Sequence, residues 1–137
     1  MSPTRYLVDT NVLLRFLSGQ PPAQAAAAKK LFNRGAQGEV TLEISPVIVA
    51  EAFYTLVSFY RIERQIAAGK ISLLLQQHGV RLRDGNEVLA ALERLKTVNV
   101  GFADALLAAG ASAEKVSVVS FDRDFDKMKV ARYEPVE

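Results

Sequence analysis

The chain has no cysteine and a single histidine, so two large groups of active sites are missing from it. Without cysteine there is no disulfide framework and no thiolate site, and a reducing compartment fits this composition. A typical zinc site needs sulfur or nitrogen ligands, and His78 alone cannot supply them. Because Gly79 follows it, His78 is predicted to lie at the end of a helix. No Ser-His-Asp or Cys-His set is therefore available for nucleophilic catalysis.

Long apolar runs, phosphate-binding glycine loops and calcium loops are also missing. The apolar run 40–50 is broken by Glu43 and is too short to span a membrane. A signal peptide needs a longer apolar region than the short N-terminal stretch that Asp9 interrupts. We therefore expect a soluble, cytoplasmic protein without membrane contact. Neither a P-loop nor a GxGxxG motif occurs. A calcium loop starting at Asp122 would need glycine at its sixth position, where this chain has Lys127.

What is present is an apolar chain with regular alternation of predicted elements. Half of the 137 residues are apolar, which suits one domain with a sizeable core, and we expect residues 1–137 to form a single domain. The predicted order is β-α-α-β-α-α-β-α-α-β-α-β, with no repeat, linker or charge block. This alternation predicts an α/β fold in three layers, with a mainly parallel sheet of about five strands between helices.

Asp9 is the first acid in a position that suggests function. It follows the apolar run 6–8, which is predicted to be a strand, and it precedes a helical pattern in which Thr10 and Asn11 offer N-cap chemistry. Ligands bind at the carboxyl ends of strands in open α/β sheets. Asp9 alone would be better explained as a helix cap. Three further acids in similar surroundings favour a binding site.

Glu51 and Asp104 are predicted to lie on helices among apolar neighbours. Glu51 interrupts an almost wholly apolar helix, 47–60, where burying a carboxylate is costly unless it is paired or binds a metal. Asp104 lies near the start of an alanine-rich helix within 99–112. The alternatives are a glutamate that points into solvent and an aspartate that is stabilised by the helix macrodipole. The apolar neighbours on both sides favour a pocket.

Asp122 repeats the setting of Asp9, because it follows the run 116–120, the clearest strand prediction in the chain. Two more acids follow at alternate positions. Asp126 lies a turn into the next helix, where we expect it to be solvated. The segment 132–136 is predicted to be a short edge strand.

Carboxylates without histidine or cysteine favour a hard cation. Mg²⁺ and Mn²⁺ accept a few carboxylate oxygens and keep water for a phosphate substrate, and one or two such ions can make a bound water nucleophilic. If the four acids surround metal ions, removing four negative charges from the net +2 leaves +6 on the remaining surface. That balance suits a polyanion, although an ordinary slightly basic protein has it too. Arg81 and Arg83 would project from one side of a short strand and could contact phosphate or solvent.

Four segments resemble the acidic motifs of the PIN-domain ribonucleases, in the same order and at similar spacing. The similarity is greatest to the VapC-type toxins of prokaryotic toxin–antitoxin pairs. The segments are VDTNVLLRF (8–16), AEAFYTL (50–56), FADALLAA (102–109) and VSFDRDFDKM (119–128). Each motif alone is weak, whereas the ordered set spans nearly the whole chain.

The resemblance assigns roles to individual residues. The catalytic and metal-binding set that it implies is Asp9, Glu51, Asp104 and Asp122, with Asp124 as a frequent additional ligand. Thr10 and Asn11 match the polar pair that braces the first aspartate. Ser120 stands where the family usually has threonine, which keeps the hydroxyl group.

The resemblance implies a Mg²⁺- or Mn²⁺-dependent endoribonuclease that leaves a 5′-phosphate, forms a homodimer and is blocked by a small antitoxin. Apolar residues on two predicted helices could form a surface for association, although internal packing explains these residues almost as well. The residues are Val47, Phe53, Phe59, Tyr60, Ile71 and Leu75. One alternative is a non-catalytic PIN-fold module for RNA binding or interaction, which normally loses acids of the set. Another is a haloacid-dehalogenase-like phosphatase, which needs a second aspartate where this chain has Asn11.

Overall fold

The helices and strands follow the order predicted from the sequence. The structure, a computed structural model, describes residues 2–136. It divides into two units, of which the first ends at Asp84 and the second begins at Gly85. All described strand pairs are parallel, so the α/β class is confirmed. The single-domain organisation stays a prediction.

Three parallel strands form the sheet of the first unit: β1 (Thr4–Leu7), β2 (Val40–Ile44) and β3 (Val80–Leu82). Their spatial order is β1-β2-β3, which makes β2 the central strand. Leu42 and Ile44 are fully buried on one face of β2, while the alternation of a strand places Glu43 on the other face. The alternation of apolar and polar residues over 40–44 predicts a strand with these bounds, and the structure confirms it.

Four helices complete the first unit: α1 (Thr10–Ser18), α2 (Pro22–Ala36), α3 (Pro46–Ser58) and α4 (Arg64–Leu75). Helix α1 packs against α2 and α3, and α3 packs against α4. Proline suits the first position of a helix, where the missing N–H costs nothing, and this predicts helix starts at Pro22 and Pro46. Both prolines open their helices. Gly19 caps the end of α1 with a left-handed φ of 74°. No helix in the described part of the chain is long and apolar enough to cross a membrane.

The second unit contains three helices and two parallel strands. They are α5 (Gly85–Thr97), α6 (Phe102–Glu114), β4 (Val118–Val119), α7 (Asp124–Lys127) and β5 (Arg132–Tyr133). Helix α5 packs along α6, and α6 contacts β4. Strand β4 is shorter than the predicted 116–120 because Val116 lies in an exposed connection. The ladder nevertheless continues to Ser120, whose N–H donates to the Tyr133 carbonyl at 3.0 Å.

Candidate metal centre

Asp9 follows β1 and is the N-cap of α1. Its Oδ1 accepts a hydrogen bond from the Thr10 N–H at 2.8 Å. The prediction that Thr10 and Asn11 would cap this helix is wrong, because the helix already begins at Thr10. Asn11 is exposed, whereas the Thr10 Oγ1 is buried and has no hydrogen-bond partner within residues 2–136. Such an atom normally needs a partner, so the surroundings of Asp9 are polar but incompletely satisfied.

Glu51 lies on an exposed face of α3. Its sequence neighbours Ala52 and Phe53 are buried, whereas Tyr54, three residues along the helix, is exposed. The expectation of a pocket around Glu51 is not met within the first unit. The reason is geometric: residues adjacent in sequence point to different sides of a helix, so apolar neighbours do not by themselves bury a side chain.

The structure places Asp104 within electrostatic influence of Asp122 and Asp124 in the second unit. Asp104 lies in the first turn of α6 and is half-buried. Burial raises the pKa of its carboxyl above the usual range, and the negative charges of Asp122 and Asp124 raise it further. No basic side chain of residues 2–136 forms an ion pair with Asp104 or Asp122. Asp104 and Asp122 therefore have no protein cation within residues 2–136 to offset the repulsion, whereas Asp124 has an exposed contact with Lys127.

A short chain of hydrogen bonds orders the segment that carries Asp122 and Asp124. The Ser120 Oγ accepts from the Asp122 N–H at 2.9 Å, and the Asp122 Oδ1 accepts from the Asp124 N–H at 2.8 Å. Ser120 thus provides the local support expected of a hydroxyl at this position. Asp124 also lies 3.4 Å from the Lys127 Nζ, an exposed contact that contributes little. The other oxygen of Asp122 bonds to no residue in the described range.

Asp126 lies in α7 and is exposed, as predicted. Both of its carboxylate oxygens also accept hydrogen bonds from the Arg132 guanidinium, at 3.1 and 3.2 Å. Its pKa is held below the usual range, chiefly by these bonds. The sequence did not indicate Arg132 as a partner, because the two residues meet only where β5 pairs with β4.

Glu43 is a buried acid that sequence reasoning missed. It is only 4% exposed, and it pairs with Arg5 of the neighbouring strand. The hydrogen bond from Arg5 lowers the pKa of Glu43, and the charges of Arg5, Arg81 and Arg83 lower it further. The arginines on the two flanking strands were the signal that this face holds an ion pair.

The oxygen-only donor set of Asp104, Asp122 and Asp124 has the chemistry that suits a hard divalent cation. As they stand, no three Asp, Glu or His side chains within residues 2–136 are close enough to hold a metal ion. The two remaining acids of the predicted set, Asp9 and Glu51, lie on the first unit. The convergence of all four acids stays a prediction.

The protein is of the α/β class: its parallel strands are joined by helices, and acidic residues follow β1 and β4. Residues 6–131 match the family described as PIN domain, and the chain belongs to that family. The match confirms the fold class predicted from the sequence. The crystal structure of VapBC2 from Rickettsia felis bound to a DNA fragment from their promoter is similar at 17% identity, with a TM-score of 0.39; the match covers 97% of this chain and 100% of that one. No curated protein matches the chain.

Proposed function

We propose that this protein is a Mg²⁺- or Mn²⁺-dependent endoribonuclease with a single PIN domain. The observation that carries the proposal is the environment of Asp104: a half-buried carboxylate with a raised pKa, next to Asp122 and Asp124 and without a basic partner in the described chain. A divalent cation would relieve this repulsion, and PIN membership supplies the reaction class. Lys127 contacts Asp124 on the exposed side of this cluster, where an ion pair contributes little, so it does not offset the repulsion at Asp104.

The residues have distinct roles in this proposal. Asp9, Glu51, Asp104 and Asp122 hold the metal, with Asp124 as an additional ligand, and Ser120 keeps Asp122 in place through its hydroxyl. The chemistry supplied by the cation is activation of water and stabilisation of the leaving oxygen in an in-line displacement. The Asp9 Oδ1 bonds to the N–H of Thr10, which fixes its side chain and leaves the second oxygen for a ligand.

The proposed setting is the cytoplasm, with RNA as substrate and a small antitoxin as partner, because the motifs are most similar to those of VapC-type toxins. A homodimer is also proposed. Of the apolar residues considered for association, Phe53, Ile71 and Leu75 are buried, while Val47 and Phe59 are 64% and 73% exposed. The exposed pair leaves apolar surface available to a second copy, and light scattering would measure the oligomeric state.

Cleavage of a labelled RNA with Mg²⁺, with Mn²⁺ and with EDTA tests the activity. Asp104→Asn keeps the shape of the side chain but removes its charge, so cleavage should fall by more than the ~10–100-fold typical of losing an outer-shell partner of a metal site. Glu114→Gln is the matched control, since Glu114 is an exposed acid on the same helix. The products should carry 5′-phosphates.

The alternative, a non-catalytic RNA-binding module, is separated by the same experiment. It requires RNA to bind without cleavage and Asp104→Asn to bind as the wild type does. Cleavage that persists in EDTA, or equal activity of Asp104→Asn and Glu114→Gln, would contradict the nuclease proposal.

A further inference from the structure

Arg132 makes four hydrogen bonds although its side chain is only 13% exposed. The guanidinium donates to both oxygens of Asp126 at 3.1 and 3.2 Å, to the Ser120 carbonyl at 3.1 Å and to the Glu134 carboxylate at 2.8 Å. A planar guanidinium can reach several acceptors in fixed directions, which a lysine ammonium cannot do in the same way. Arg132 is therefore the centre of a polar network in the second unit.

Arg132 forms hydrogen bonds to both ends of one short segment, 120–126. Ser120 ends the β4 ladder, and Asp126 lies in α7. Between these two contacts lie Asp122 and Asp124, the two acids that raise the pKa of Asp104. Inside the segment, the Ser120 Oγ and the Asp122 Oδ1 accept the next N–H groups along the chain. The segment is thus held at its ends by Arg132 and within by its own side chains.

The charge of Arg132 is paired with acids other than the candidate metal ligands. Its pKa is raised by hydrogen bonds to Asp126 and Glu134, so it stays protonated at every relevant pH. Its ion pairs are with these two acids, neither of which belongs to the proposed ligand set. The guanidinium can therefore order the segment without neutralising the carboxylates that would hold a cation.

We propose that Arg132 is a positioning residue for the metal centre: by bridging the Ser120 carbonyl and the Asp126 carboxylate, it holds Asp122 and Asp124 in place for the cation. The inference rests on the proposed nuclease function. Outer-shell partners of this kind typically change metal affinity or activity by ~10–100-fold when they are replaced.

The full-length Arg132→Lys variant tests the proposal, because lysine keeps the charge but loses the bridge. Its dissociation constant for Mn²⁺, measured by calorimetry, should rise by ~10–100-fold, and kcat for RNA cleavage should fall by a similar factor. KM for RNA should hardly change, because Arg132 is committed to protein acceptors. Arg94→Lys is the matched control, since Arg94 lies in the same unit and its guanidinium contacts the Ala90 carbonyl at 3.4 Å.

Asp126→Asn is the second variant, and it weakens the bridge from its other end while β5 keeps its arginine. If both groups act through one bridge, the double variant should be no worse than Arg132→Lys alone, since coupled residues are non-additive. Amide hydrogen exchange gives a readout that does not need catalysis. The N–H groups of Asp122 and Asp124 should exchange faster in both variants, while those in the middle of α6 keep wild-type protection.

Wild-type Mn²⁺ affinity and kcat in a folded Arg132→Lys protein would overturn the positioning role. So would a lower melting temperature with unchanged Mn²⁺ affinity, since that result describes support of the fold alone. If the wild type neither binds Mn²⁺ nor cleaves RNA, the proposed function fails. Unchanged exchange at Asp122 and Asp124 would overturn the bridge itself, whatever the activity of the wild type.

Discussion

Gly79 lies against the backbone of Gly35, so closely that a Cβ at Gly79 would collide with the Gly35 carbonyl. Its φ is +88°, a region that side chains other than glycine rarely adopt. The Gly79 carbonyl in turn accepts a hydrogen bond from the Leu42 N–H at 2.8 Å. This contact packs the end of α2 against the residue that precedes β3. It therefore helps to position β3 beside the central strand β2.

Gly79→Ala should therefore lower the free energy of unfolding by about 2–5 kcal/mol, because it adds backbone strain to overpacking. Gly69→Ala is the matched control. Gly69 lies inside α4 with no atom within 4 Å of an added Cβ, and alanine there should stabilise the helix by about 0.5–1 kcal/mol. Urea unfolding of both variants measures the difference. Similar stabilities would mean that α2 and β3 do not approach in this way.

Sequence periodicity was enough to predict the order of the elements, but it gave many of their bounds only approximately. The strand predicted at 6–8 is Thr4–Leu7, and the edge strand predicted at 132–136 ends at Tyr133. Strand β2 is confirmed because its apolar and polar residues alternate, and α2 and α3 begin at prolines as expected. Helix starts were harder, since Asp9, Thr10 and Asn11 all have side chains that can cap a helix. Only the backbone conformation of Asp9 decides among them.

The ion pairs could not be predicted, because they depend on which strands are neighbours and on their register. Arg5 and Glu43 are 38 residues apart, and they meet because β1 and β2 pair with Leu7 opposite Glu43. Asp126 and Arg132 meet because β5 returns beside β4. Local patterns identify an acid in an apolar setting, but they do not identify the cation that lies beside it.

The Arg5–Glu43 pair should make stability depend on pH. The folded pKa of Glu43 is lowered, chiefly by the Arg5 hydrogen bond, from an ordinary value of 4.5. A lowered pKa contributes stability that is present above pH 4.5 and is lost as the pH falls through the pKa of the folded state. Glu43→Gln should therefore be less stable than the wild type at neutral pH, and the gap should close in acid.

Urea unfolding at neutral pH and at about pH 3 measures this effect, because the two pH values bracket the titration of a glutamate. Glu39→Gln is the control, since Glu39 is an exposed acid just before β2. A stability gap between wild type and Glu43→Gln that does not change with pH would show that the pair is not formed.

Asp104 should show the opposite dependence when metal is removed with EDTA. Its pKa is raised by burial and by the charges of Asp122 and Asp124, above an ordinary value of 3.8. A raised pKa contributes stability that is fully present below pH 3.8 and is lost as the pH rises through the pKa of the folded state. Asp104→Asn should therefore be more stable than the wild type at neutral pH but not in strong acid, whereas Glu114→Gln should change little. A less stable Asp104→Asn at neutral pH would contradict the repulsion.

The last prediction concerns metal binding by the intact protein. Ions that bind only the folded state add stability by mass action, about 2.7 kcal/mol at a concentration 100-fold above the dissociation constant. The melting temperature of the wild type should therefore rise with Mg²⁺ or Mn²⁺. The gain should be smaller at acid pH, where protons compete for the carboxylates.

Asp9→Asn should lose most of this gain with little change in the metal-free protein, because asparagine is also a good N-cap and can accept the bond that Asp9 takes from the Thr10 N–H. Asp84→Asn is the control: Asp84 is exposed, and its φ of 53° is one that asparagine tolerates. Thermal melts of the three proteins with and without Mn²⁺ give the comparison. An equal metal-induced shift in the wild type and Asp9→Asn would mean that the ion binds away from the first strand, and the four-acid centre would then lose its first member.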